Sequence, residues 1–334
     1  MFKDILNQLL NKQNLSHDQM LSVMQQVMSG ESTAAQIAAL LIALRLKEET
    51  VEEIAAAATV MRQLSTKVQI NDATNLVDTC GTGGDGIQTF NVSTVSAFVA
   101  AAAGAKVAKH GGRSVSSTCG SADVLEALGV DVNKTPTEVA ASVQEIGIGF
   151  MFAPNHHSAM KYAAPVRKEL GVRTIFNLLG PLTNPASAKR QVMGVFDQVL
   201  TTKLAHVLQK LGSEHVLVVH AADGMDEISF SGDTYVAELK DGKVTEYVIN
   251  PKQFGLSIHA LRDIQIQSVE QSKSMVMAVL NGEAGAPREI VLLNAGAAIY
   301  VAGIASTLSG GIKKAIEAID SKAALAKLQA LQAR

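Results

Sequence analysis

The chain has 334 residues, of which 47% are hydrophobic and 18% charged, and its formal net charge is −2 with a pI of about 6.5. This balance excludes a disordered chain, because apolar content is high and net charge is low. It also argues against a nucleic-acid partner, which normally needs a basic face. The length exceeds the size at which a single core stops growing, so two domains are expected.

Cysteine usage and the N-terminus indicate a cytoplasmic protein. Cys80 and Cys119 are too few for a disulfide-built fold, and neither lies in a CxxC motif. The first residues lack the apolar run and cleavage site of a signal peptide. The longest apolar stretch, residues 97–105, is too short to cross a bilayer, so no membrane partner is expected.

The first 66 residues predict helices alone. Segments 16–19 and 50–53 are capping-box patterns that begin helices, and Gly30 is placed to end the first of them. The second helix is expected to run to about Leu64. Between them, small apolar residues at helical spacing indicate either packing within the chain or a dimer interface. This stripe comprises Ala35, Ala38, Ala39, Ile42 and Leu46.

After Ile70, short apolar runs alternate with helical segments, which favours a largely parallel sheet covered on both faces. Strands are predicted at 76–80, 106–108, 148–152, 192–196 and 215–220, and helices at 92–103, 122–128, 138–146 and 202–211. Segments 237–239 and 244–248 flank Asp241 and Gly242, a hairpin signal, and the chain from Glu289 onward is helical again. Ligands of such sheets bind beyond the carboxyl ends of the strands, so the chemistry is expected there.

A glycine-rich segment directly follows the first predicted strand: Cys80, Gly81, Thr82, Gly83, Gly84, Asp85. Three glycines in four positions let the backbone turn sharply and bring N–H groups close to an anion. The segment is neither a Walker loop nor a dinucleotide fingerprint, since it lacks Gly-Lys-Ser/Thr and GxGxxG. It predicts either a tight turn or a phosphate site.

Polar residues also open the helix predicted at 92–103, where Asn91, Ser93 and Thr94 surround Val92. They can cap the helix, and the same N-terminus can bind an anion through its unpaired N–H groups. Two such elements close in sequence suggest a ligand with more than one phosphate.

Cations, glycines and hydroxyls cluster after the strand predicted at 106–108. The run is Lys109, His110, Gly111, Gly112, Arg113, Ser114, Val115, Ser116, Ser117. Lys supplies a point charge and Arg a planar fork, both suited to phosphate oxygens. A solvated loop would explain the polarity but not this combination at a strand end.

Adjacent carboxylates follow the strand predicted at 215–220, at Asp223, Asp226 and Glu227. Such residues are often a solvated turn. Mg²⁺ that keeps most of its waters needs only one or two carboxylates plus substrate phosphates. With three anion-binding segments in the same chain, the magnesium interpretation gains weight.

These four segments, in this order, resemble the anthranilate phosphoribosyltransferases, enzymes of tryptophan biosynthesis, over nearly the whole chain. The resemblance includes residues 120–126, 173–177 and 180–185. It implies a nucleoside phosphorylase/phosphoribosyltransferase-like α/β fold, with a small all-helical N-terminal domain and a larger α/β domain with a mostly parallel central sheet. The helical domain would span 1–66 and be completed by about 162–186, with 70–160 and 188–334 forming the α/β substrate-binding domain. It also implies a homodimer through the helical domain.

The resemblance implies a magnesium-dependent transfer of the 5-phosphoribosyl group from 5-phosphoribosyl 1-diphosphate (PRPP) to the amine of anthranilate. Two Mg²⁺ ions are expected, on Ser93, Asp226 and Glu227. Catalytic roles fall to Lys109, His110 and Arg113, and anthranilate contacts to Gly81, His110, Gly112, His157 and Arg167. PRPP would be held by Gly81, Gly84, Asp85, Thr89, Asn91, Val92, Ser93, Thr94, the nine residues Lys109 to Ser117, and Ser121.

One departure and two alternatives accompany the resemblance. Many family members have Asn where this chain has Gly112, which puts that anthranilate contact in doubt. A pyrimidine nucleoside phosphorylase would share the fold and a similar Lys-His segment, but it does not need the carboxylates Asp226 and Glu227. A non-catalytic relative that binds nucleic acid would predict a basic surface, which the pI opposes.

Overall fold

The computed structural model describes residues 2–114 and 118–334. Before the sheet begins, these residues form four helices, and the remaining helices cover the sheet or extend beyond it. The first four are α1 (Phe2–Leu10), α2 (His17–Ser29), α3 (Ala34–Lys47) and α4 (Val51–Leu64). The others are α5 (Val92–Ala102), α6 (Ser121–Ala127), α7 (Pro136–Glu145), α8 (Ala153–His156), α9 (Ala164–Leu170), α10 (Phe176–Leu179), α11 (Leu200–Lys210), α12 (Val269–Leu280), α13 (Ala286–Val301), α14 (Leu308–Asp320) and α15 (Ala323–Gln332).

The two predicted capping boxes begin helices as expected. The Ser16 hydroxyl accepts the Gln19 N–H at 3.2 Å, and the Gln19 side chain accepts the Ser16 N–H at 2.8 Å. Thr50 and Glu53 make the same reciprocal pair at the start of α4. Gly30 ends α2 in the left-handed region at φ 83°, where a Cβ would be strained. Local polar residues therefore fix these helix ends before any tertiary contact does.

The strands form one sheet in the order β3-β2-β1-β4-β5-β6-β7. Their bounds are β1 Leu76–Thr79, β2 Lys106–Gly111, β3 Ile148–Phe152, β4 Arg190–Gly194, β5 His215–Ala221, β6 Thr234–Lys240 and β7 Lys243–Ile249. The first five run parallel, whereas β5, β6 and β7 pair antiparallel around the predicted turn at Asp241 and Gly242. The prediction of a helical N-terminal part followed by a mostly parallel α/β part is confirmed.

The prediction of β2 was too short. The sequence suggested a strand at 106–108 followed by a polar loop, but β2 continues to Gly111 because Lys109, His110 and Gly111 pair with β3. The register of that pairing joins Gly111 to Phe152. Lys109 and His110 are therefore buried side chains of a central strand, 3% exposed each, and not loop residues.

The sheet divides two apolar clusters, and alternate strand residues contribute to each. Val192 and Leu217 pack with α5 and α13 on one face. Met193 and Val218 face the other cluster, which also contains α11 and the first four helices. The residues of α9 and α10, 163–182, join this second cluster. The segment that carries α9 and α10 thus shares a core with the first four helices, although β1, β2 and β3 lie between them in sequence.

No helix among the described residues is both long and apolar enough to cross a membrane.

Candidate active site

The strand order creates a crevice at the carboxyl end of β1. The chain moves from β1 to β2 on one side and then returns through β4 to the other side of β1. Loops that leave neighbouring strands in opposite directions separate there, and ligands of open α/β sheets bind at this point. The predicted phosphate and metal segments follow β1, β2 and β5, whose carboxyl ends share this edge.

The glycine-rich segment follows β1 and leads into the crevice. Gly83 and Gly84 adopt φ values of 62° and 77°, which favour glycine. A Cβ on Gly81 would lie 2.7 Å from Oδ2 of Asp226, so glycine is needed for that approach. The Gly83 N–H donates to the same Oδ2 at 2.7 Å, which ties the first predicted segment directly to the fourth.

Asp226 and Glu227 lie in the connection between β5 and β6, and both are only partly exposed. Burial raises the pKa of Asp226, and the nearby carboxylate of Asp85 raises it further. Burial also raises the pKa of Glu227, with repulsion from Asp226 as the next cause. Clustered carboxylates of this kind favour a divalent cation or a shared proton.

Glycine at the end of β4 admits the carboxylate turn. A Cβ on Gly194 would lie 1.5 Å from the backbone oxygen of Asp226, so no larger residue fits there. The Gly194 carbonyl also accepts the Thr82 N–H at 2.8 Å. Gly194 therefore brings the glycine-rich segment and the carboxylate turn against the same strand end.

Lys109 and Ser93 stand beside this turn. The Lys109 ammonium donates to the Thr79 carbonyl and, at 3.1 Å, to the Ser93 hydroxyl. A hydrogen bond from the Ser93 backbone and the charge of Lys109 both lower the pKa of Glu227, opposing its burial. The structure thus brings the predicted set of Ser93, Asp226 and Glu227 together with a buried cation.

The donor set fits Mg²⁺ that takes its remaining ligands from phosphate and water. Its oxygens are carboxylate and hydroxyl, which suit a hard cation. Within residues 2–114 and 118–334, no group of three or more His, Cys, Asp or Glu side chains could hold a metal ion. Sites that bind Mg²⁺ through one or two carboxylates and a substrate phosphate need no such group.

The start of α5 does not use Asn91 as a side-chain cap. The Asn91 amide instead donates to the Cys119 carbonyl at 3.0 Å, and its Oδ1 accepts the Ser272 hydroxyl at 2.6 Å. Within the described residues, the buried Thr94 hydroxyl has no hydrogen-bond partner. Through Ser272, α12 therefore holds the residue that precedes the first turn of α5.

Arg113 is placed differently from the expected phosphate contact. Its guanidinium, 51% exposed, donates to Glu126 at 2.5 and 2.8 Å and to Asp123 at 3.1 Å, both on α6. The two carboxylates already neutralise this cation in the structure. The predicted residues Val115, Ser116 and Ser117 lie outside the described residues. Whether Arg113 contacts substrate stays a prediction.

Glycines allow α6 to approach the end of β2. A Cβ on Gly111 would meet the Ser121 hydroxyl at 2.2 Å, and that hydroxyl donates to the Gly112 carbonyl at 3.3 Å. Around Gly112 itself, no described atom lies within 4 Å of the position a Cβ would take. A Cβ at this position would therefore meet no described atom beyond the two neighbouring residues.

His110 and His157 form a buried pair of imidazoles, with ring centroids 5.0 Å apart. Among the described residues, neither ring nitrogen of His110 and not Nε2 of His157 has a hydrogen-bond partner. Burial lowers the pKa of His110 well below its usual value and that of His157 to about 4. Both rings are therefore neutral at pH 7.

A buried carboxylate that the sequence reasoning missed supports this pair. Asp78 accepts the His110 backbone N–H at 3.2 Å and the Asn184 amide at 2.7 Å. Asn184 also donates to the Ala108 carbonyl at 2.9 Å. Burial raises the pKa of Asp78 to about 6. A carboxylate directly after the apolar residues Leu76 and Val77 of β1 was the available signal.

Arg167 presents an unpaired cation on α9. Its guanidinium lies 5.4 Å from the Phe176 ring centroid and is half-buried, and burial lowers its pKa. None of the described carboxylates forms an ion pair with it. A half-buried guanidinium without a partner is suited to a ligand carboxylate.

Thr89 lies farther along the segment after β1 and forms an isolated antiparallel bridge with Gln265.

The chain matches known proteins over its whole length. The helical bundle domain of the Glycosyl transferase family matches residues 3–65, and the a/b domain of that family matches residues 73–325. Anthranilate phosphoribosyltransferase from Methylobacillus flagellatus is 64% identical over 328 residues, which cover 98% of this chain and 96% of the relative. The chain belongs to the anthranilate phosphoribosyltransferase family.

Solved structures agree with this membership. Anthranilate phosphoribosyltransferase from Thermus thermophilus has a TM-score of 0.93 at 41% identity, covering 99% of this chain and 98% of that one. The Saccharomyces cerevisiae enzyme in complex with PRPP and Mg has a TM-score of 0.87 at 28% identity, covering 98% and 96%. Both the fold and the family resemblance inferred from the sequence are thereby confirmed.

Proposed function

We propose that this chain transfers the 5-phosphoribosyl group from PRPP to the amine of anthranilate, giving N-(5-phosphoribosyl)anthranilate and diphosphate in tryptophan biosynthesis. The observation that carries the proposal is the contact between Gly83 and Asp226, since it joins a glycine-rich phosphate loop to paired carboxylates beside Lys109. Membership of the family and the yeast complex with PRPP and Mg support the same substrates.

The diphosphate is assigned to the crevice between β1 and β4. Backbone N–H groups of the glycine-rich segment and of the first turn of α5 suit phosphate oxygens. Lys109 adds a buried positive charge against which a leaving group's negative charge is stabilised. Gly112, Ser114 and Ser121 would line the sugar-phosphate side, where β2 meets α6.

Magnesium is assigned to Asp226, Glu227 and Ser93. When bound, Mg²⁺ supplies positive charge that neutralises the diphosphate as it leaves. We propose two ions, because Asp226 faces the Gly83 N–H whereas Glu227 lies next to Ser93 and Lys109. The chain's own part is to hold the two carboxylates at fixed positions beside the phosphate segments.

Anthranilate is assigned to the side of Arg167, His110 and His157. Arg167 would take the carboxylate through its planar fork. The neutral imidazoles suit the amine and the aromatic ring, because their buried nitrogens lack partners among the described residues. His110 thus acts as a positioning group in this proposal.

The reaction needs little acid–base help from the protein. The bond from ribose C1 to the diphosphate oxygen breaks with its electron pair, and the bond from the amine nitrogen to C1 forms. Cleavage of this kind develops oxocarbenium character at C1, as in glycoside hydrolysis. An aromatic amine is already neutral at pH 7 and loses one proton to solvent after attack. Orientation of the amine against C1 can supply about 7 kcal/mol or more.

The proposed assembly is a homodimer through the helical domain. All five members of the apolar stripe on α3 are exposed or half-exposed, while Ile37, Leu40 and Leu44 on the same helix are buried. Ala35, Ala39 and Leu46 therefore face away from the chain's own core, whereas Ala38 packs partly against it. We place the helical domain at 1–66 with about 162–186, and the α/β domain at 70–160 and 188–334, because α9 and α10 share a core with the first four helices.

The test is loss of anthranilate fluorescence with PRPP and Mg²⁺. The native chain should consume anthranilate only when both are present. Asp226→Asn with Glu227→Gln should lower the rate at least about tenfold and flatten its Mg²⁺ dependence, as loss of metal ligands does. Glu246→Gln, an exposed carboxylate on β7, serves as the control. No consumption by the native chain contradicts the proposed function, and native-like Mg²⁺ dependence in the double variant contradicts the metal assignment.

A further inference from the structure

Asp223 accepts several hydrogen bonds from within the turn that carries Asp226 and Glu227. Its Oδ1 accepts the Met225 N–H at 3.1 Å, and its Oδ2 accepts the hydroxyls of Ser229, at 2.5 Å, and Ser231. These bonds fix the shape of the turn. The turn also bonds to the sheet, because its Met225 carbonyl accepts the Ala221 N–H of β5 at 3.0 Å. The helical layer against which the turn packs adds a further contact.

Asn294 of α13 makes the contact from the helical side. Its Oδ1 accepts the Ile228 N–H at 2.9 Å, and its Nδ2 donates to the Ile228 carbonyl at 2.9 Å. Ile228 directly follows Glu227 in the chain. A backbone N–H can only donate and a carbonyl can only accept, so these two groups determine the orientation of the amide.

The helix alone gives no reason for Asn at this position. Asn294 is 3% exposed, and its neighbours Leu293 and Ala295 belong to the apolar core. Asn has a lower helix propensity than Ala, and a buried amide is unfavourable unless hydrogen-bonded. Here both amide N–H groups are used, since Nδ2 also donates to the Ile290 carbonyl at 2.9 Å. Its polar bonds to the turn therefore account for the residue type.

We propose that Asn294 is a positioning residue that sets the magnesium affinity of Asp226 and Glu227. This inference rests on the proposed function. By holding both backbone groups of Ile228, Asn294 fixes the residue next to Glu227 against α13. Adjacent carboxylates repel one another, so a turn released from α13 moves them apart when no cation is bound.

Metal affinity measured without turnover tests the proposal. Mn²⁺ binding is followed by electron paramagnetic resonance on the full chain with PRPP and without anthranilate. Asn294→Leu keeps the side-chain size but removes both bonds, and its Kd for Mn²⁺ should rise about 10- to 100-fold. Asn294→Ser keeps a donor and an acceptor on a shorter side chain, so its Kd should fall between those of the native chain and Asn294→Leu.

Steady-state kinetics supply the second measurement. The Mg²⁺ concentration for half-maximal rate should rise with the Mn²⁺ Kd, whereas KM for anthranilate should stay within about twofold. Leu293→Ala on the same helix is the control, since it opens a core cavity without touching a polar bond to the turn. Its unfolding temperature should fall while its Mn²⁺ Kd stays native.

Three results would overturn the proposal: folded Asn294 variants with a native Mn²⁺ Kd, an equal loss in Leu293→Ala, or no Mn²⁺ binding by the native chain. Should Asn294→Leu fail to fold, Asn294→Ser decides alone. Native Mn²⁺ binding without anthranilate consumption would contradict the proposed function and leave the role of Asn294 standing.

Discussion

Arg167 shows how a single side chain can assign a substrate carboxylate. Its guanidinium is half-buried over Phe176, and the described residues offer it no acidic partner. Removing water from a cation without pairing it is unfavourable, which is why we propose an anion from outside as its partner. The carboxylate of anthranilate is the anion that the proposed reaction supplies.

Arg167→Ala should therefore raise KM for anthranilate about 10- to 100-fold, the loss of a charge-assisted hydrogen-bonded pair. KM for PRPP should change less than about twofold. Arg167→Lys should lie between, because it keeps the charge and loses the fork. Lys168→Ala, an exposed neighbour, is the control. Equal increases in both KM values would remove Arg167 from the anthranilate site.

His157 links the site to the pH dependence of stability. Its pKa in the folded chain is about 4, lowered by burial and then by the charges of His156 and Lys67. The unfolded chain binds a proton near pH 6.5. The contribution of the neutral imidazole to the free energy of unfolding is therefore fully present above pH 6.5. It is lost as the pH falls towards 4, by about 1.4 kcal/mol per pH unit.

The variant His157→Gln should remove this loss. Between pH 7 and pH 5, the free energy of unfolding of the native chain should fall by about 2 kcal/mol more than that of the variant. Urea unfolding at the two pH values measures the difference. His206→Gln, at an exposed position on α11, should follow the native chain. If the free energy of unfolding of His157→Gln and of the native chain changed equally with pH, the pKa of the His157 imidazole would not be lowered by folding.

At the residue scale, sequence found contiguous features and missed those assembled by the fold. Gly81, Asp226 and Glu227 stand out because glycines or carboxylates are adjacent in the chain. Asp78, Asn184 and Asn294 act alone, each within an apolar or loop segment, and acquire partners only through the strand order. Their roles depend on contacts over more than sixty residues, which no local pattern contains.

At the element scale, the first residue of an element was predicted more accurately than the length of the element. The predicted segment 148–152 is β3, and the helix predicted at 92–103 begins at Val92 and ends one residue early at Ala102, because a largely apolar run marks each of them. β2 was too short by three residues since its end depends on pairing with β3. α12 was missed, because its first turn is polar and only its second half is continuously apolar.

The α13–α14 contact depends on a pair of glycines. A Cβ on Gly311 would lie 2.1 Å from the backbone oxygen of Gly296, so the two helices touch backbone to backbone. Separating them to admit a methyl group would also loosen the core that includes Ile312 and Ile299.

Gly311→Ala should therefore lower the free energy of unfolding by about 1–3 kcal/mol, the usual effect of overpacking, despite the gain in helix propensity. Gly310→Ala is a matched control, one position earlier, where the nearest atom is the Thr307 hydroxyl at 3.2 Å. It should destabilise the chain less than Gly311→Ala, because only the Thr307 side chain has to shift and the propensity gain offsets that shift. Urea unfolding compares the two, and a stability of Gly311→Ala equal to that of Gly310→Ala would contradict the close contact.

At the scale of the whole molecule, the proposed substrate site and the proposed dimer surface lie on different elements. The substrate-facing loops lie at the carboxyl edge of the sheet, whereas the exposed apolar stripe lies on α3 of the helical part. The residue patterns predicted a helical part and an α/β part. The expectation that α9 and α10 belong with the helical part came from the family resemblance alone. Helices that short carry no periodicity of their own, so their place is decided by the core they join.

A dimer through α3 buries a stripe that the monomer leaves in water. Leu46 is 73% exposed, and Ala39 lies on the same surface of the helix. Two copies related by a twofold axis would each present this stripe to the other, and its small residues would let the helices approach closely. Charged side chains in such an interface would be desolvated without partners.

Ala39→Glu with Leu46→Glu should therefore convert the dimer into a folded monomer. Sedimentation velocity at micromolar concentration should give about twice the monomer mass for the native chain and the monomer mass for the variant. Near-native circular dichroism would show that the helix itself survives, because both positions are exposed in the single chain. Val248→Glu, an exposed apolar position on β7, should remain dimeric. A native chain that sediments as a monomer, or a variant that stays dimeric, would place the interface elsewhere or remove it.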